Sequence, residues 1–182
     1  MAEDAADAIC EYLGHDEPCR TGEQPLPGTE GDIEINRWAT DLDISEAVVG
    51  KLARRYGSRT ADAISGAREE GVPASTVICR CQQVLDAEIR HVVRHEWART
   101  LGDVMRRTRL GTGQCGGLRC AHLAAQVLAQ ELGRDASWAA AQAQLFLHLR
   151  YRSRRPAITG FQARSEAMNA LLLKTQASRG ER

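Results

Sequence analysis

Gly111-Thr112-Gly113-Gln114-Cys115-Gly116-Gly117-Leu118-Arg119-Cys120 runs directly into Ala121-His122-Leu123-Ala124-Ala125-Gln126-Val127-Leu128-Ala129-Gln130-Glu131-Leu132. The first ten residues hold four glycines and two cysteines. A backbone this poor in Cβ atoms can wrap closely round a group held by sulfur. Apolar residues then recur at helical spacing, so Leu118 to Leu132 reads as an amphipathic helix closed by Gly133, with Leu123, Val127 and Leu128 at core spacing. Upstream stands Cys79-Arg80-Cys81, separated from Cys115 by 33 residues. A C-x-C pair and a C-x4-C pair, each among turn residues, suit a metal or cluster bound by several thiolates.

Working outward, helical signals dominate. Ser45 can cap a helix whose face carries Val48, Val49, Leu52 and Tyr56, Gly57 stops it, and Ser58 starts a second over Ala61 to Arg68. Pro73 breaks the chain, and Thr76 to Cys79 is a short β-branched run able to extend. Asp86 can cap a helix through Ile89, Val92, Val93 and Trp97, and Thr100 opens another from Leu101 to Arg107. Ser137 opens one that reaches about Arg152, Pro156 ends it, and Ser165 to Thr175 forms the last. At the other end, Ala5 to Leu13 is a short helix closed by Gly14. The following His15 to Asn36 holds three prolines and three glycines with no sustained period and reads as a linker. The expected fold is all-α, a multi-helix domain with a cysteine-rich, cluster-binding helix-loop-helix.

Composition agrees. Of 182 residues, 43% are hydrophobic but only 4% aromatic, and β-branched runs are few, which favours helix over sheet. Formal net charge is zero, giving no reason to expect a nucleic-acid or anionic-membrane binder. The zero conceals a division: residues up to Glu46 carry 13 acids and 2 bases, those from Ala47 onward 11 acids and 22 bases. No apolar stretch approaches the ~20 residues that span a bilayer. Met1 to Glu11 bears Glu3, Asp4 and Asp7 and no basic n-region, so neither a secretory signal nor disulfides are expected. A chain that opens on a lone helix and a linker reads as a piece of something longer.

Four cysteines, Cys79, Cys81, Cys115 and Cys120, are therefore the candidate metal ligands. The start of the long helix brings amides and a positive dipole end towards Cys115 and Cys120, and Arg80 and Arg119 add positive field. An iron-sulfur cluster and a tetrahedral zinc both suit such donors. Zinc ribbons commonly use two C-x2-C knuckles, a spacing neither pair has. Cys120-Ala121-His122 offers half of a Rieske pattern, but no C-x2-H partner follows. Unligated buried cysteines are the remaining alternative.

At these residues the sequence resembles the bacterioferritin-associated-ferredoxin-like domain, which binds a 2Fe-2S cluster through four cysteines. Cys10 to Gly28, with Leu26-Pro27-Gly28, resembles the linker leaving the FAD domain of glycerol-3-phosphate dehydrogenases, and Arg55-Tyr56-Gly57-Ser58, Glu96-Trp97-Ala98-Arg99-Thr100-Leu101-Gly102-Asp103-Val104 and Arg106-Arg107-Thr108-Arg109-Leu110-Gly111 are similar to their C-terminal helical domain. Phe146-Leu147, Arg154-Arg155-Pro156 and Gly160 resemble the tail of the anaerobic A-subunit family, whose members carry a cluster-type Cys-Arg-Cys and a Gly-rich C-x4-C.

That resemblance implies an FAD-dependent, quinone-linked oxidation of sn-glycerol 3-phosphate to dihydroxyacetone phosphate in the complete enzyme. This chain would contribute an iron-sulfur relay at Cys79, Cys81, Cys115 and Cys120 and a docking surface for other subunits. FAD and the substrate would sit in a domain this sequence lacks, so no catalytic residue is assigned and the piece alone is expected to be inactive. The implied division is the end of an FAD-domain helix with an acidic linker over 1–43, a helical hairpin over 44–75, the 2Fe-2S segment over 76–134 and C-terminal helices over 135–182. Expected partners are the FAD domain, other dehydrogenase subunits and a membrane-linked acceptor, with the protein in the cytoplasm or peripheral on the cytoplasmic face of the inner membrane. The rival reading is a non-redox docking domain with zinc or free cysteines.

Weaker signals have ordinary readings. Gly111-Thr112-Gly113-Gln114-Cys115-Gly116 spells G-x-G-x-x-G, but no strand precedes it and no βαβ unit surrounds it. His91 and His95 stand at i, i+4 with Glu88 nearby and no further ligand indicated. Arg106, Arg107 and Arg109 fit a solvated face as well as an anion site. Cys10 and Cys19 lie outside the cluster pattern. No hydrolase motif is present.

Overall fold

The computed structural model describes residues 1–15, 20, 22–69, 71, 73 and 75–177. Among them the chain is helical, with one two-stranded sheet: α1 (Ala2–Leu13), α2 (Ile35–Leu42), α3 (Glu46–Tyr56), α4 (Thr60–Glu69), β1 (Val77–Cys79), β2 (Val84–Leu85), α5 (Asp86–His95), α6 (Leu101–Thr108), α7 (Ala121–Glu131), α8 (Ala136–Arg154) and α9 (Gly160–Ala177). Single 3-10 turns follow α3 and α8. The all-α expectation holds, and the extended run before Cys79 becomes β1, paired antiparallel with β2.

Two hydrophobic clusters organise these elements. The first gathers Trp38, Val48, Val49, Leu52, Ala53 and Ile64 from α2, α3 and α4, with Ile44 from the link between α2 and α3, Leu85 of β2 and Ala87 of α5. The second joins α5 to α8 through Ile89, Val92, Leu101, Val104, Leu110, Leu128, Phe146 and others, and it includes Cys79 and Cys120. Helix α5 is the seam between them. Across that seam Arg55 of α3 donates to Glu88 of α5, Nε to Oε1 at 2.9 Å, although the Glu88 side chain is fully buried. On the other flank Arg90 of α5 pairs with Asp86 and with Glu131 of α7 at 2.7 Å, and Arg94 reaches Glu131 at 2.7 Å.

Several boundaries differ from the sequence reading, each for a local reason. Helix α2 occupies the end of the stretch read as linker, because Ile35, Trp38, Ala39 and Leu42 form one apolar face against the first cluster. Helix α4 starts at Thr60, whose hydroxyl donates to the Gly57 carbonyl at 2.7 Å, rather than at Ser58. Leu85, not Asp86, occupies the N-cap of α5: the Glu88 carboxylate reaches back to accept the Leu85 N–H at 2.9 Å, leaving Asp86 free to hold Arg90. Asp135 caps α8 by accepting the Trp138 N–H, so that helix begins before Ser137. Thr100 does cap α6, with the Asp103 carboxylate returning to the Thr100 N–H at 2.9 Å in a full capping box.

The stretch leading to α2 is anchored at one point. Ser58 N–H donates to the Gly28 carbonyl at 2.9 Å. At this crossing a Cβ on Gly28 would lie 2.4 Å from the Tyr56 carbonyl oxygen, and one on Gly57 only 1.9 Å from the Gly28 oxygen. The two backbones meet where only glycine fits on both sides.

Candidate metal centre

Strand β1 delivers Cys79, the turn after it Cys81, and the loop between α6 and α7 delivers Cys115 and Cys120. All four line one pocket of about 270 Å³. The sulfurs form two pairs drawn from opposite segments. Cys81 Sγ lies 3.8 Å from Cys115 Sγ, and Cys79 shares a side-chain hydrogen bond with Cys120. Among the described residues no three His, Cys, Asp or Glu side chains converge as a site for one metal ion. The arrangement is two sulfur pairs across a pocket rather than four sulfurs round a point.

The glycines explain how the loop comes this near. A Cβ on Gly113 would sit 2.4 Å from the Cys81 Cβ, so the loop could not close on Cys81 with any other residue there. Gly111 and Gly117 flank the ring of Phe146 from α8, and a Cβ on either would fall 2.7 Å from it. Phe146 is 4% exposed and wedges the loop onto the second cluster. The G-x-G-x-x-G spelling thus belongs to a turn packed between cysteines and an aromatic ring.

Backbone amides face the sulfurs. Cys79 is held down at about 5, first by the Cys120 thiol, then, against its burial, by the amides of Gly111, Gln82 and Cys81. Cys120 moves the opposite way, raised by its bond to Cys79 and by burial. Burial pushes Cys115 up, but the amides of Gly117 and Arg119 and the Cys81 thiol outweigh it, and its thiol lies below the ordinary value. Cys81 is raised by its hydrogen bond to Cys115 and by the charge there. The pocket supplies N–H donors to the sulfurs of Cys79 and Cys115.

The source of those amides departs from expectation. Helix α7 begins at Ala121, with Cys120 at its N-cap, so Gly117 and Arg119 donate from the turn preceding the helix rather than from its first turn. Leu123 is also not a core residue: it is 50% exposed and lines the pocket, while Val127 and Leu128 are buried as read. Periodicity alone missed it because α7 turns that face towards the cysteines rather than towards α8.

The secondary signals resolve simply. Glu88 is committed to Arg55 and to the Leu85 amide, so it does not complete a site with His91 and His95, whose rings are 5.0 Å apart. Arg106 pairs with Asp103 at 2.6 Å and Arg107 with Glu96 at 3.5 Å. Cys10 is half-buried on α1, and Cys19 lies outside the described residues. No helix among the described residues is long and apolar enough to cross a membrane.

Comparison with known proteins follows the same lines. The chain is 31% identical over 182 residues to the A1 subunit of the anaerobic glycerol-3-phosphate dehydrogenase of Haloferax volcanii, covering all of this chain and 30% of that protein. It is 31% identical over 160 residues to the A subunit of the anaerobic glycerol-3-phosphate dehydrogenase of Escherichia coli K12, covering 88% of this chain and 29% of the relative. A glycerol 3-phosphate dehydrogenase of Caloramator mitchellensis is 41% identical over 58 residues, 31% of this chain and 12% of its own. The chain thus spans about 30% of the length of the full-chain relatives it matches. No solved structure matches it. Residues 19–139 match the family described as the C-terminal domain of alpha-glycerophosphate oxidase, and the chain belongs to that family.

Proposed function

We propose that this chain is the iron-sulfur relay and docking region of an FAD-dependent glycerol-3-phosphate dehydrogenase, with a 2Fe-2S cluster held by Cys79, Cys81, Cys115 and Cys120. The observation that carries the reading is the division of four sulfurs into two pairs over one pocket. At a metal–sulfur distance of about 2.3 Å, two ligands on one tetrahedral ion stand about 3.8 Å apart. The Cys81–Cys115 separation equals that edge. Two such pairs suit a two-iron group better than a single zinc, which requires all four sulfurs about one centre.

When bound, the group supplies one-electron exchange, which lets a two-electron flavin pass electrons singly. The residues supply the rest. Gly113 admits Cys81, Phe146 keeps the loop closed and excludes water from its inner side, and the amides of Gly111, Gln82, Gly117 and Arg119 stabilise sulfur charge without moving a proton. In the full-length protein, sn-glycerol 3-phosphate would lose two electrons and two protons at C2, giving dihydroxyacetone phosphate, with FAD as first acceptor and a quinone downstream. The present chain supplies no residue to that step and is expected not to turn over substrate alone. Other dehydrogenase subunits would dock on it, in the cytoplasm or at the inner face of the membrane.

The test is anaerobic purification with assays for iron, acid-labile sulfide and zinc, and EPR of the dithionite-reduced protein. Two irons, two sulfides and a spin-half signal per chain are expected. Stoichiometric zinc, or no metal, would overturn the relay and leave a docking domain.

A further inference from the structure

The four sulfurs are unequally accessible. Cys79 and Cys120 are 1% and 2% exposed, whereas Cys81 is exposed and Cys115 half-buried. The outer pair therefore forms the side of the pocket that meets water. Beside it stand two aliphatic side chains open to solvent, Val77 at 38% and Leu123 at 50%, and two exposed guanidiniums, Arg80 and Arg119. No carboxylate among the described residues lines this pocket, and neither arginine has a carboxylate partner among them. Two other arginines, Arg106 and Arg154, do have such partners, in Asp103 and Glu166.

Resting on the cluster reading above, we infer that this mouth is an electron-exchange face for a redox protein whose own docking surface is acidic. Electron transfer weakens steeply with distance, so an electron leaves from the side where the sulfurs approach the surface, between Cys81 and Cys115. A small apolar centre flanked by two cations complements an apolar patch rimmed by carboxylates, and such charge complementarity sets orientation and encounter rate. The step moves one electron: one iron goes from ferrous to ferric, the partner's centre is reduced by one, and no bond or proton is transferred.

Charged small-molecule oxidants read this face without an identified partner. The loaded chain, reduced anaerobically, is oxidised by anionic cobalt(III)-EDTA and by cationic hexaamminecobalt(III), each taking one electron, with the cluster potential measured for every variant. In the wild type the anion is expected to react faster, with a rate that falls as salt is raised. Arg80→Gln with Arg119→Gln should lower the anion rate about tenfold at low salt and leave the cation rate equal or higher. Arg106→Gln, on α6, should change neither.

A second readout uses no electron transfer. Dysprosium-EDTA, also an anion, should raise the microwave power that half-saturates the cluster's EPR signal in the wild type and do so less in the double variant. Equal anion and cation rates in the wild type, or a double variant that keeps the wild-type preference, would overturn the proposal. So would an equal response in Arg106→Gln. A chain that takes up no iron refutes the cluster reading and this face with it, while a loaded chain without anion preference refutes only the face.

Discussion

Leu52 and Cys120 are buried to nearly the same extent, at 0% and 2%, but their neighbours differ in kind. Round Leu52 are Trp38, Ile44, Val48, Val49 and Ile64, aliphatic and aromatic side chains on three helices and the link between the first two. Round Cys120 are three more sulfurs and a loop of glycines. The first region gains its order chiefly from apolar burial, at about 25 cal/mol for each Å² removed from water. The second packs an irregular loop, whose glycines cost chain entropy, against Phe146 and the rest of the second cluster, and the proposed group would add to that order. On the proposed reading, one chain holds a packed helical scaffold beside a region that a ligand would complete.

The largest expected effect separates the two outright. Cys115→Ser should abolish cluster retention, measured as iron per chain, whereas Cys10→Ser on α1 should leave it intact. Bleaching by the second substitution and not the first would reverse the ligand assignment. Loss of the ligand should also speed hydrogen exchange over residues 111–117 far more than over 45–68, and equal loosening in both would dissolve the contrast.

Next in size are two cavity mutants. Leu52→Ala should cost about 2–5 kcal/mol and Phe146→Ala about 3–5 kcal/mol in urea unfolding. Only Phe146→Ala should lower cluster occupancy as well, because its ring fills the space between Gly111 and Gly117. If Leu52→Ala bleaches the protein equally, the two regions are a single cooperative unit.

A third test addresses the seam. Burial raises the Glu88 carboxyl from 4.5 to about 7, against the pull of Arg55. The folded chain then keeps a proton that the unfolded chain has released, so this residue's contribution to stability declines as pH rises from 4.5 to about 7 and is fullest below that window. Glu88→Gln should flatten that decline, seen as urea midpoints at about pH 5 and about pH 7.5. An unchanged slope would mean that Arg55 holds the carboxylate ionised throughout.

The smallest effect is at the α6 cap. Thr100→Ala removes half of the capping box and should cost about 1 kcal/mol, read by thermal unfolding, with iron content unchanged. Asp103, held at about 2 against slight burial by the amides of Arg99 and Thr100 with Arg106, loses its share of stability only as pH falls from 3.8 towards 2.

Much of this was legible in the sequence because it is local. The all-helical class, the stop at Gly57, the Thr100 cap and the cysteine loop each follow from residues within a few positions of one another. Helix α2 was within reach too, since Ile35, Trp38, Ala39 and Leu42 carry the i, i+3, i+4, i+7 pattern, but the prolines and glycines before it made the stretch read as linker. The cross-pairing of Cys81 with Cys115 and Cys79 with Cys120 could not be read from spacing, because it depends on how closely Gly113 approaches Cys81 in three dimensions. The outward turn of Leu123 is likewise a consequence of what α7 packs against, not of its period. The cap of α5 at Leu85 requires a buried Glu88, and that burial depends on a helix more than thirty residues earlier.

The crossing of Gly28 over Gly57 has a mechanical consequence. A pull on the N-terminal end of the chain is taken up first at the Ser58–Gly28 hydrogen bond, at the C-terminal end of α3. That crossing therefore meets the load before Trp38 does. The clasp ties the stretch before α2 to the end of α3, so a load on that stretch is shared with α3, and through Arg55 with Glu88.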